Sequence, residues 1–230
     1  MIHLGIDTAS DDASVAVLDG DRVLAQRDWH IATTASRELL ANIEAVLRDA
    51  AVPRDALTAI AVDVGPGSYG PLRVGVATAQ GIALALGIPL AAVGRLEVDA
   101  FPHLTPGDTV VAVHDAGRSG LVWAAYAAGE LIDTAQAAPP ELLIPPRLDT
   151  IEHCLRLAPA PARWRGELTE ALHTALAADP NHRSGHTGHT TTTRSAADVV
   201  RLARLHRAFG DPAAVDVVYL RPPSITLRAQ

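Results

Sequence analysis

The N-terminal residues alternate between short apolar runs and turn residues, which is the pattern of consecutive β-strands. Three strands are predicted, at Ile2–Ile6, Ala13–Leu18 and Val23–Trp29. Asp19 and Gly20 lie between the second strand and the third, and an Asp-Gly pair is a strong signal for a tight hairpin. The chain is therefore predicted to open with three strands, of which the last two form a hairpin.

The apolar spacing then changes from that of strands to that of helices. Apolar residues recur on one face of a predicted helix at Leu39, Leu40, Ile43, Val46 and Leu47. Ala59–Val64 follows as a strand, Leu72–Leu86 as a helix and Leu90–Val93 as another strand. The order strand, strand, strand, helix, strand, helix, strand indicates an α/β lobe.

The opening pattern returns in the second half of the chain. Val110–Asp115 is an apolar strand that ends in Asp, and strands are predicted after it at Leu121–Ala127 and Leu131–Thr134. The glycine of the turn between these last two strands comes 14 residues after Asp115, against 13 residues for the matching glycine in the first unit. An internal repeat of this kind predicts two related structural units.

Three further segments complete the second half. Pro139–Pro146 is predicted to be an extended crossing segment, because it is rich in proline. Gly166–Ala178 and Ser195–Ala208 have Ala, Leu and Val faces at helical spacing and are predicted to be helices. The stretch between them, at residues 180–193, is rich in His, Thr and Gly and has no periodicity, so it is predicted to be a mobile loop.

Together these elements predict the fold class. Duplicated βββαβα units in one chain are typical of the α/β, actin-like (ASKHA, RNase H-like) two-lobed fold of actin, hexokinase and Hsp70. We place the N-terminal lobe at residues 1–103 and the C-terminal lobe at residues 104–230, with the loop at 180–193 inside the second lobe.

Charge and composition limit the function classes. The 230-residue chain has a formal net charge of −7, which argues against stand-alone nucleic-acid binding, because phosphate contacts need clustered Lys and Arg. With one cysteine, Cys154, no internal disulfide is expected, and the N-terminal residues lack a signal-peptide pattern. Gly and Pro residues interrupt the uncharged run Val74–Gly94, so no membrane span is predicted. We expect a cytoplasmic protein.

A Gly/Pro turn precedes the second predicted helix, and it consists of Gly65, Pro66, Gly67 and Ser68. The turn resembles a phosphate-binding loop but lacks the Gly-Lys-Ser/Thr of that signature. We therefore favour a turn that reverses the chain. The alternative, a nest of backbone N–H groups that holds an anion at the start of the helix, stays open.

The helix after this turn carries small or apolar residues on every side. It is either buried wholly inside its own lobe, or it turns one face to a partner chain, since an outer helix of an α/β lobe has a face left over. We favour a partner interface of four helices, two from each chain, which would also serve a homodimer. The predicted interface residues are Leu39, Leu40, Ile43, Val46, Leu47, Leu72, Arg73, Val76, Ala79, Gln80 and Ala83.

Four segments carry a resemblance to a known family: Asp7–Ser10, Gly65–Tyr69, Leu72–Gly81 and Val218–Pro222. On these segments the chain resembles the bacterial TsaB family, also called YeaZ, from end to end. The resemblance implies an actin-like fold and a role in making threonylcarbamoyladenosine beside the anticodon of tRNAs that read codons starting with A. It implies a non-catalytic protein that binds and supports TsaD, the subunit that transfers the threonylcarbamoyl group.

The resemblance also implies the other components of that pathway. TsaC makes threonylcarbamoyl-adenylate, TsaE is an associated ATPase of the complex, and tRNA is reached through the complex. ATP and magnesium or a metal ion are expected on the partner subunits, and no cofactor is expected on this chain. A homodimer is expected when TsaD is absent.

Three departures from the family pattern bear on the predicted sites. Tyr69–Pro71 stands where the family usually has Phe-Thr-Gly, and this change keeps a turn that enters a helix. Gln80 replaces a Lys, which removes a charge from the predicted surface. Asp115–Arg118 contains one inserted residue relative to the family's Asp-Ala-Arg motif, so the resemblance does not fix what Arg118 contacts.

Asp7, Asp115 and Arg118 are the candidate residues of a cleft between the lobes. Asp7 and Asp115 end equivalent strands, and in actin-like ATPases such carboxylates face the cleft and organise magnesium and phosphate. An actin-fold small-molecule kinase or ATPase is therefore the alternative function, although we find no adenosine-binding glycine motif in the second lobe. The other interpretation is that both carboxylates cap turns or helix ends.

A cluster of histidines raises a third possibility. His182, His186 and His189 have spacings of four and three residues, as in metal-binding motifs, and would fit a glycoprotease-like metallopeptidase. Glycines interrupt this stretch, however, and a metal site needs a rigid frame to aim its imidazoles. We expect no metal there, and the metallopeptidase ranks last.

Overall fold

The computed structural model describes residues 1–31, 34–129, 138–182 and 194–219, and it shows two mixed sheets with helices packed on them. The first sheet contains β1 (Ile2–Asp7), β2 (Asp12–Asp19), β3 (Arg22–His30), β4 (Leu57–Asp63) and β5 (Leu90–Val93). The second sheet contains β6 (Thr109–Asp115), β7 (Leu121–Ala127), β8 (Glu141–Asp149) and β9 (Arg163–Gly166). The helices are α1 (Ala35–Asp49), α2 (Tyr69–Leu86), α3 (Arg95–Ala100), α4 (Ile151–Leu157), α5 (Glu170–Ala178) and α6 (Ala196–Leu205).

The two sheets repeat one topology. The strand order is β3-β2-β1-β4-β5 in the first sheet and β8-β7-β6-β9 in the second. In each sheet the first strand pairs antiparallel with the second and parallel with the fourth, and the second and third strands are antiparallel neighbours. This arrangement confirms the predicted α/β fold with two lobes built on duplicated units.

The first lobe has helices on both faces of its sheet, because successive side chains of a strand point to opposite faces. Val15 and Val17 of β2 face α1 and α2, in one buried apolar cluster. Ala16 and Leu18 of the same strand face α6, in a second cluster. The second lobe is built around two buried tryptophans, Trp123 and Trp164, with α4 and α5 beside them.

The position of α6 corrects the predicted lobe boundary, which assigned everything after residue 103 to the second lobe. The chain leaves the first lobe after α3, builds the second lobe and returns, so that α6 packs against β1, β2 and β4 of the first sheet. Gly5 makes this approach possible, because a Cβ at that position would lie 2.1 Å from the carbonyl oxygen of Ala196. A segment this distant along the sequence gives no local signal of the surface that it covers.

Two predicted elements of the second lobe also change, and a third is not described. Pro139–Pro146 is predicted to cross between elements, but all of it from Glu141 onward belongs to β8, an edge strand with a register shift opposite β7, where proline is tolerated. Helix α5 begins at Glu170 rather than at Gly166, because the Thr169 hydroxyl caps it by accepting a hydrogen bond from the backbone N–H of Leu172. The predicted strand Leu131–Thr134 lies outside the described residues.

Helix α3 joins the two lobes. Its residues Leu96 and Ala100 pack into an apolar cluster with β6 and β7 of the second lobe, whereas Val98 packs into the cluster under α6. The polar residues Arg95 and Asp99 of the same short helix are consequently placed at the junction between the lobes. Among the described helices, none is long and apolar enough to span a bilayer.

Candidate functional site

Buried carboxylates meet at the junction between the lobes. Parallel strands β1 and β4 are neighbours, and they end in Asp7 and Asp63, so both carboxylates lie at one edge of the first sheet. Asp99 reaches the same place from α3. All three residues are essentially inaccessible to solvent, with exposures of 0% for Asp7 and Asp63 and 1% for Asp99. Burying three carboxylates together is costly unless a positive charge compensates them.

Arg194 supplies that positive charge. Its Nε donates a hydrogen bond to Asp7 Oδ2 at 2.9 Å, and its Nη2 donates to Ser10 Oγ at 2.7 Å. The same guanidinium lies 3.9 Å from Asp63 Oδ2 and 3.7 Å from Asp99 Oδ1. Burial would lower the pKa of Arg194, but the charges of the three carboxylates outweigh it and raise the pKa above its usual value. Arg194 is therefore fully charged inside the protein.

Two of the buried carboxyl groups, those of Asp63 and Asp99, have raised pKa values although Arg194 lies close to them. Burial and the nearby Asp7 raise the pKa of Asp63 well above its ordinary value. Burial raises the pKa of Asp99 to about 6, against the opposing charges of Arg194 and Arg95. The site therefore holds protons more tightly than ordinary surface carboxylates do.

A second arginine connects the two lobes. Arg95 of α3 donates from Nη2 to Glu167 Oε1, and its Nη1 lies 2.9 Å from His114 Nδ1. Glu167 Oε2 lies 2.8 Å from His114 Nδ1 and accepts from the backbone N–H of Asp115 at 3.1 Å. Burial would raise the pKa of the Glu167 carboxyl, but the hydrogen bond to His114 and the charge of Arg95 hold it well below the usual value. These contacts fix the second lobe against α3.

A cleft of about 260 Å³ opens above this network. Its walls come from the β1–β2 connection and the first residue of β2, the end of β3, the residue before α2, helix α3, the end of β9 with the residue after it, and the segment before α6. The lining residues are Ser10, Asp11, Asp12, His30, Ser68, Asp99, Gly166, Glu167 and Arg194. Acidic side chains thus dominate a pocket that both lobes build.

The structure places the three predicted cleft residues in different surroundings. Asp7 is part of the buried network, where Oδ1 accepts from the backbone N–H of Ala9 at 3.0 Å and Oδ2 accepts from Arg194. Asp115 is exposed and accepts from the backbone N–H of Gly117 at 2.8 Å, as a turn-capping carboxylate does. Arg118 is exposed in that short turn, and neither Asp115 nor Arg118 lines the cleft.

The burial of the predicted interface residues corrects the placement of that surface. Eight of the eleven side chains are buried in the core of the first lobe, and they are Leu39, Ile43, Val46, Leu47, Leu72, Val76, Ala79 and Ala83. Gln80 is half-buried, and its Nε2 donates to the carbonyl oxygens of Pro212 and Val215 at 3.1 and 2.7 Å. Of the predicted set, Leu40 and Arg73 remain exposed.

A different face of the same two helices is open. We call it the α1/α2 face, and its residues are Leu40, Ala41, Ala77, Gly81, Leu84 and Ala85. Leu84 is 60% exposed and Leu40 is 50% exposed. The small residues between them leave the helix backbone accessible, so another helix could approach it closely.

The tail of the described chain borders this face. Arg73 lies over the ring of Tyr69, 4.4 Å from its centroid, and donates from Nε to the hydroxyl of Tyr219 at 2.7 Å. The two tyrosine rings are stacked with 5.5 Å between their centroids. These contacts fasten the last described residues to the start of α2.

The Gly/Pro turn is shaped by contact with β1. Gly67 lies against the connection that follows this strand, where a Cβ would be 1.9 Å from the carbonyl oxygen of Ala9. The same oxygen accepts a hydrogen bond from the backbone N–H of Ser68 at 2.9 Å. This geometry supports the interpretation of the turn as a chain reversal held against the strand.

We expect Gly67→Ala to destabilise the protein by about 1–3 kcal/mol, because the new methyl group must push backbone atoms apart. Gly70→Ala is the matched control, since nothing lies within 4 Å of a Cβ at that position and alanine favours helix over glycine. Urea denaturation followed by circular dichroism measures both variants. Equal stability of the two variants would contradict the prediction.

The predicted histidine site is described only in part. His182 is buried, and its Nε2 donates to the carbonyl oxygen of Leu155 at 3.0 Å, beside the ring of Trp164. His186 and His189 lie outside the described residues. Within residues 1–31, 34–129, 138–182 and 194–219, no three His, Cys, Asp or Glu side chains are grouped so as to hold a metal ion.

A family model described as "TsaD: tRNA N6-adenosine threonylcarbamoyltransferase" matches residues 30–161, more than half of the chain. An uncharacterized protein of Mycobacterium leprae is 39% identical over 56% of this chain and 36% of its own length. A tRNA N6-adenosine threonylcarbamoyltransferase of Thermosipho africanus is 34% identical over 49% of this chain and 41% of its own length. The matches thus span less than two thirds of these curated relatives.

Solved structures extend the similarity to almost the whole chain. YeaZ from Pseudomonas aeruginosa superposes with a TM-score of 0.74 and 22% identity, covering 95% of this chain and 99% of that one. A protein with similarity to the peptidase YEAZ, also from Pseudomonas aeruginosa, gives a TM-score of 0.76 and 24% identity, with 96% and 99% covered. The resemblance to YeaZ is therefore confirmed at the level of the two-lobed fold.

Proposed function

We propose, from the premise that this chain belongs to the TsaD family of tRNA N6-adenosine threonylcarbamoyltransferases, that it is a non-catalytic subunit of a tRNA-modifying complex. A role in tRNA modification follows from the family. In the proposed complex the chain binds TsaD and supports the transfer of a threonylcarbamoyl group to the adenosine beside the anticodon, in tRNAs that read codons starting with A. The proposed complex modifies tRNA in the cytoplasm.

The α1/α2 face is the observation that carries this proposal. Leu40 and Leu84 are large aliphatic side chains that are 50% and 60% exposed on two helices packed against each other, and exposed apolar side chains grouped on one face mark interaction sites. A partner that packs helices across Ala77 and Gly81 would bury both leucines at the centre of the interface. We assign this surface to TsaD, and to a second copy of the chain when TsaD is absent, since a two-fold contact uses one patch twice.

The cleft supports a subunit without ATP chemistry of its own. Asp7 is fully buried, with Oδ1 accepting from the Ala9 N–H and Oδ2 from the Arg194 guanidinium, so this carboxylate is paired with a side-chain cation rather than open to a magnesium ion. Asp115 caps its own turn. The residues present therefore do not fit a bound ATP and magnesium, and we assign those to the partner subunits, including TsaE. Because the chain has a net charge of −7, we propose that tRNA reaches it only through the complex.

Leu84→Asp tests whether the α1/α2 face binds TsaD and a second copy of the chain. We expect the buried charge at the interface to weaken association with TsaD by at least about tenfold and to prevent homodimer formation, because a carboxylate there would have no counter-charge. Co-expression with TsaD followed by gel filtration, and sedimentation of the chain alone, measure both effects. Leu142→Asp is the matched control, since Leu142 is 49% exposed on β8 of the other lobe.

Three outcomes would contradict parts of the proposal. A Leu84→Asp variant that still co-elutes with TsaD and remains dimeric would show that the interface lies elsewhere. TsaD that modifies tRNA equally well without this chain would exclude the supporting role. Threonylcarbamoyl transfer by this chain alone would make it the enzyme.

A further inference from the structure

Two tyrosine rings hold the side chain of Arg73 at the start of α2. Its guanidinium carbon lies 4.4 Å from the ring centroid of Tyr69 and 5.5 Å from that of Tyr219. Its Nε also donates a hydrogen bond to the Tyr219 hydroxyl at 2.7 Å. Tyr219 comes 146 positions after Arg73, so these contacts form only when the end of the described chain packs along α2. The guanidinium is thereby fixed at one place on the surface.

Holding an exposed arginine in this way adds little to stability. Each cation–π contact contributes about 0.5–1 kcal/mol at an exposed site. Fixing the arginine costs up to about 2 kcal/mol of side-chain entropy. Because the gain and the cost are of similar size, the main effect of the two tyrosines is to orient the guanidinium. A side chain that is already oriented loses less entropy when it binds another molecule.

The contacts with the tyrosines leave other N–H groups of Arg73 unused. A guanidinium has five N–H donors, and the one on Nε is taken by Tyr219. Within the part of the chain that the structure describes, no carboxylate forms an ion pair with Arg73. The charge of Asp216 acts on Arg73, but Asp216 Oδ1 accepts a hydrogen bond from the backbone N–H of Val217 at 2.7 Å. The two terminal nitrogens of Arg73 are therefore left for an acceptor on another molecule.

Arg73 lies at one end of the α1/α2 face. The exposed residues of α2 recur every three or four positions, which places them on one side of the helix, and they include Arg73, Ala77, Gly81 and Leu84. A partner helix that covers Ala77 and Gly81 consequently passes beside the guanidinium. Arginine and tyrosine are among the residue types that most often dominate binding at protein interfaces.

We propose that Arg73 binds an Asp or Glu side chain of TsaD at the edge of the α1/α2 face, through its two terminal nitrogens. This inference rests on the proposed function, because it names a contact within that interface. A carboxylate presents two oxygens that match the fork of a guanidinium, and such a pair fixes orientation as well as adding binding energy. The apolar surface next to Arg73 and the net charge of −7 favour a protein carboxylate over a tRNA phosphate as the acceptor.

The test is titration of fluorescently labelled TsaD with the full-length chain, followed by anisotropy at low and at high salt concentration. We expect Arg73→Ala to weaken binding at least about tenfold and to make it less dependent on salt, because the variant lacks the ion pair that salt screens. Arg73→Lys should also bind more weakly than wild type, since an ammonium group lacks the planar fork. Arg156→Ala is the matched control, because Arg156 is exposed on α4 of the other lobe, and it should bind as the wild type does.

Several results would overturn the inference. Wild-type affinity of Arg73→Ala for TsaD is the first. A loss of affinity with the salt dependence of the wild type would mean that Arg73 acts only by holding the end of the chain. Unchanged affinity for TsaD with weaker tRNA binding by the assembled complex would place a phosphate at the guanidinium. Unchanged affinity for TsaD with a weaker homodimer would assign the contact to a second copy of the chain.

Leu84→Asp, measured in the same titration, separates this inference from the proposed function. If Leu84→Asp prevents binding and Arg73→Ala does not weaken it, TsaD covers the α1/α2 face and only the contact at Arg73 is wrong. If both variants bind TsaD like the wild type, or if the wild-type chain does not bind TsaD, the inference and the proposed interface both fail.

Discussion

Arg194→Ala is expected to lower the free energy of unfolding by about 3–5 kcal/mol, because it removes the counter-charge of buried carboxylates and leaves them in place. For a chain of 230 residues this corresponds to a fall in Tm of about 6–20 °C. The loss should be smaller at pH 5 than at pH 8, since Asp63 and Asp99, whose pKa values burial already raises, can take up protons once the guanidinium is gone. Thermal unfolding at both pH values measures the effect.

The control for this variant is Arg201→Ala. Arg201 pairs with Asp198 at 2.8 Å on α6, but its side chain is 36% exposed, so its removal should cost less than about 1 kcal/mol. The two arginines are seven positions apart and differ mainly in burial. Equal losses for both variants, or a loss for Arg194→Ala that does not change with pH, would mean that the buried carboxylates do not depend on Arg194.

Local patterns in the sequence predict the first lobe well. Alternating apolar residues give β1 and β2, the Asp-Gly pair gives their hairpin with β3, and helical spacing gives α1 and α2. The second lobe is predicted less completely, because β8 contains Pro145 and Pro146, which locally disfavour a strand. Its place at the edge of the sheet is decided by pairing with β7, and that pairing is not visible in the segment itself.

Helix α2 was predicted correctly as a helix, but the face predicted to be exposed at an interface is the one that the structure buries. Leu72, Val76, Ala79 and Ala83 are spaced four, three and four residues apart, and this spacing is that of a single stripe. The structure turns this stripe to the sheet and leaves Leu84 exposed. Because alanine is common on both sides of α2, the small residues themselves did not distinguish the core face from the surface face.

Of the buried network the sequence analysis identified only Asp7, which ends an apolar strand. Asp63 ends the neighbouring parallel strand in the same way, so the same signal could have identified it. Arg194 could not be assigned in this way, because it comes 187 positions after Asp7 and reaches it only when α6 returns to the first sheet. Charge compensation inside a protein depends on tertiary contacts that no local pattern encodes.

Asp99 should make the protein less stable as the pH rises from about 4 to about 7. Its pKa is raised from 3.8 to about 6 in the folded protein, so the folded state holds this proton more tightly than the unfolded state does. The stabilisation from this proton is complete below pH 4 and is lost as the pH rises through 6. A difference of about two pKa units corresponds to about 3 kcal/mol.

Asp99→Asn isolates this effect, because asparagine resembles the protonated carboxyl group and does not titrate. Other groups also change stability with pH: burial lowers the pKa of His3, and the pKa of Glu167 is lowered, so their contributions to stability are lost toward acid. They act equally in both proteins, and the difference in unfolding free energy between Asp99→Asn and wild type should therefore increase by about 3 kcal/mol from pH 4 to pH 7.5. Urea unfolding at a series of pH values measures this difference.

The control is Asp49→Asn, at an exposed position, which should differ from wild type by a nearly constant amount at every pH. A constant difference between Asp99→Asn and wild type would mean that Asp99 does not hold its proton in the folded protein.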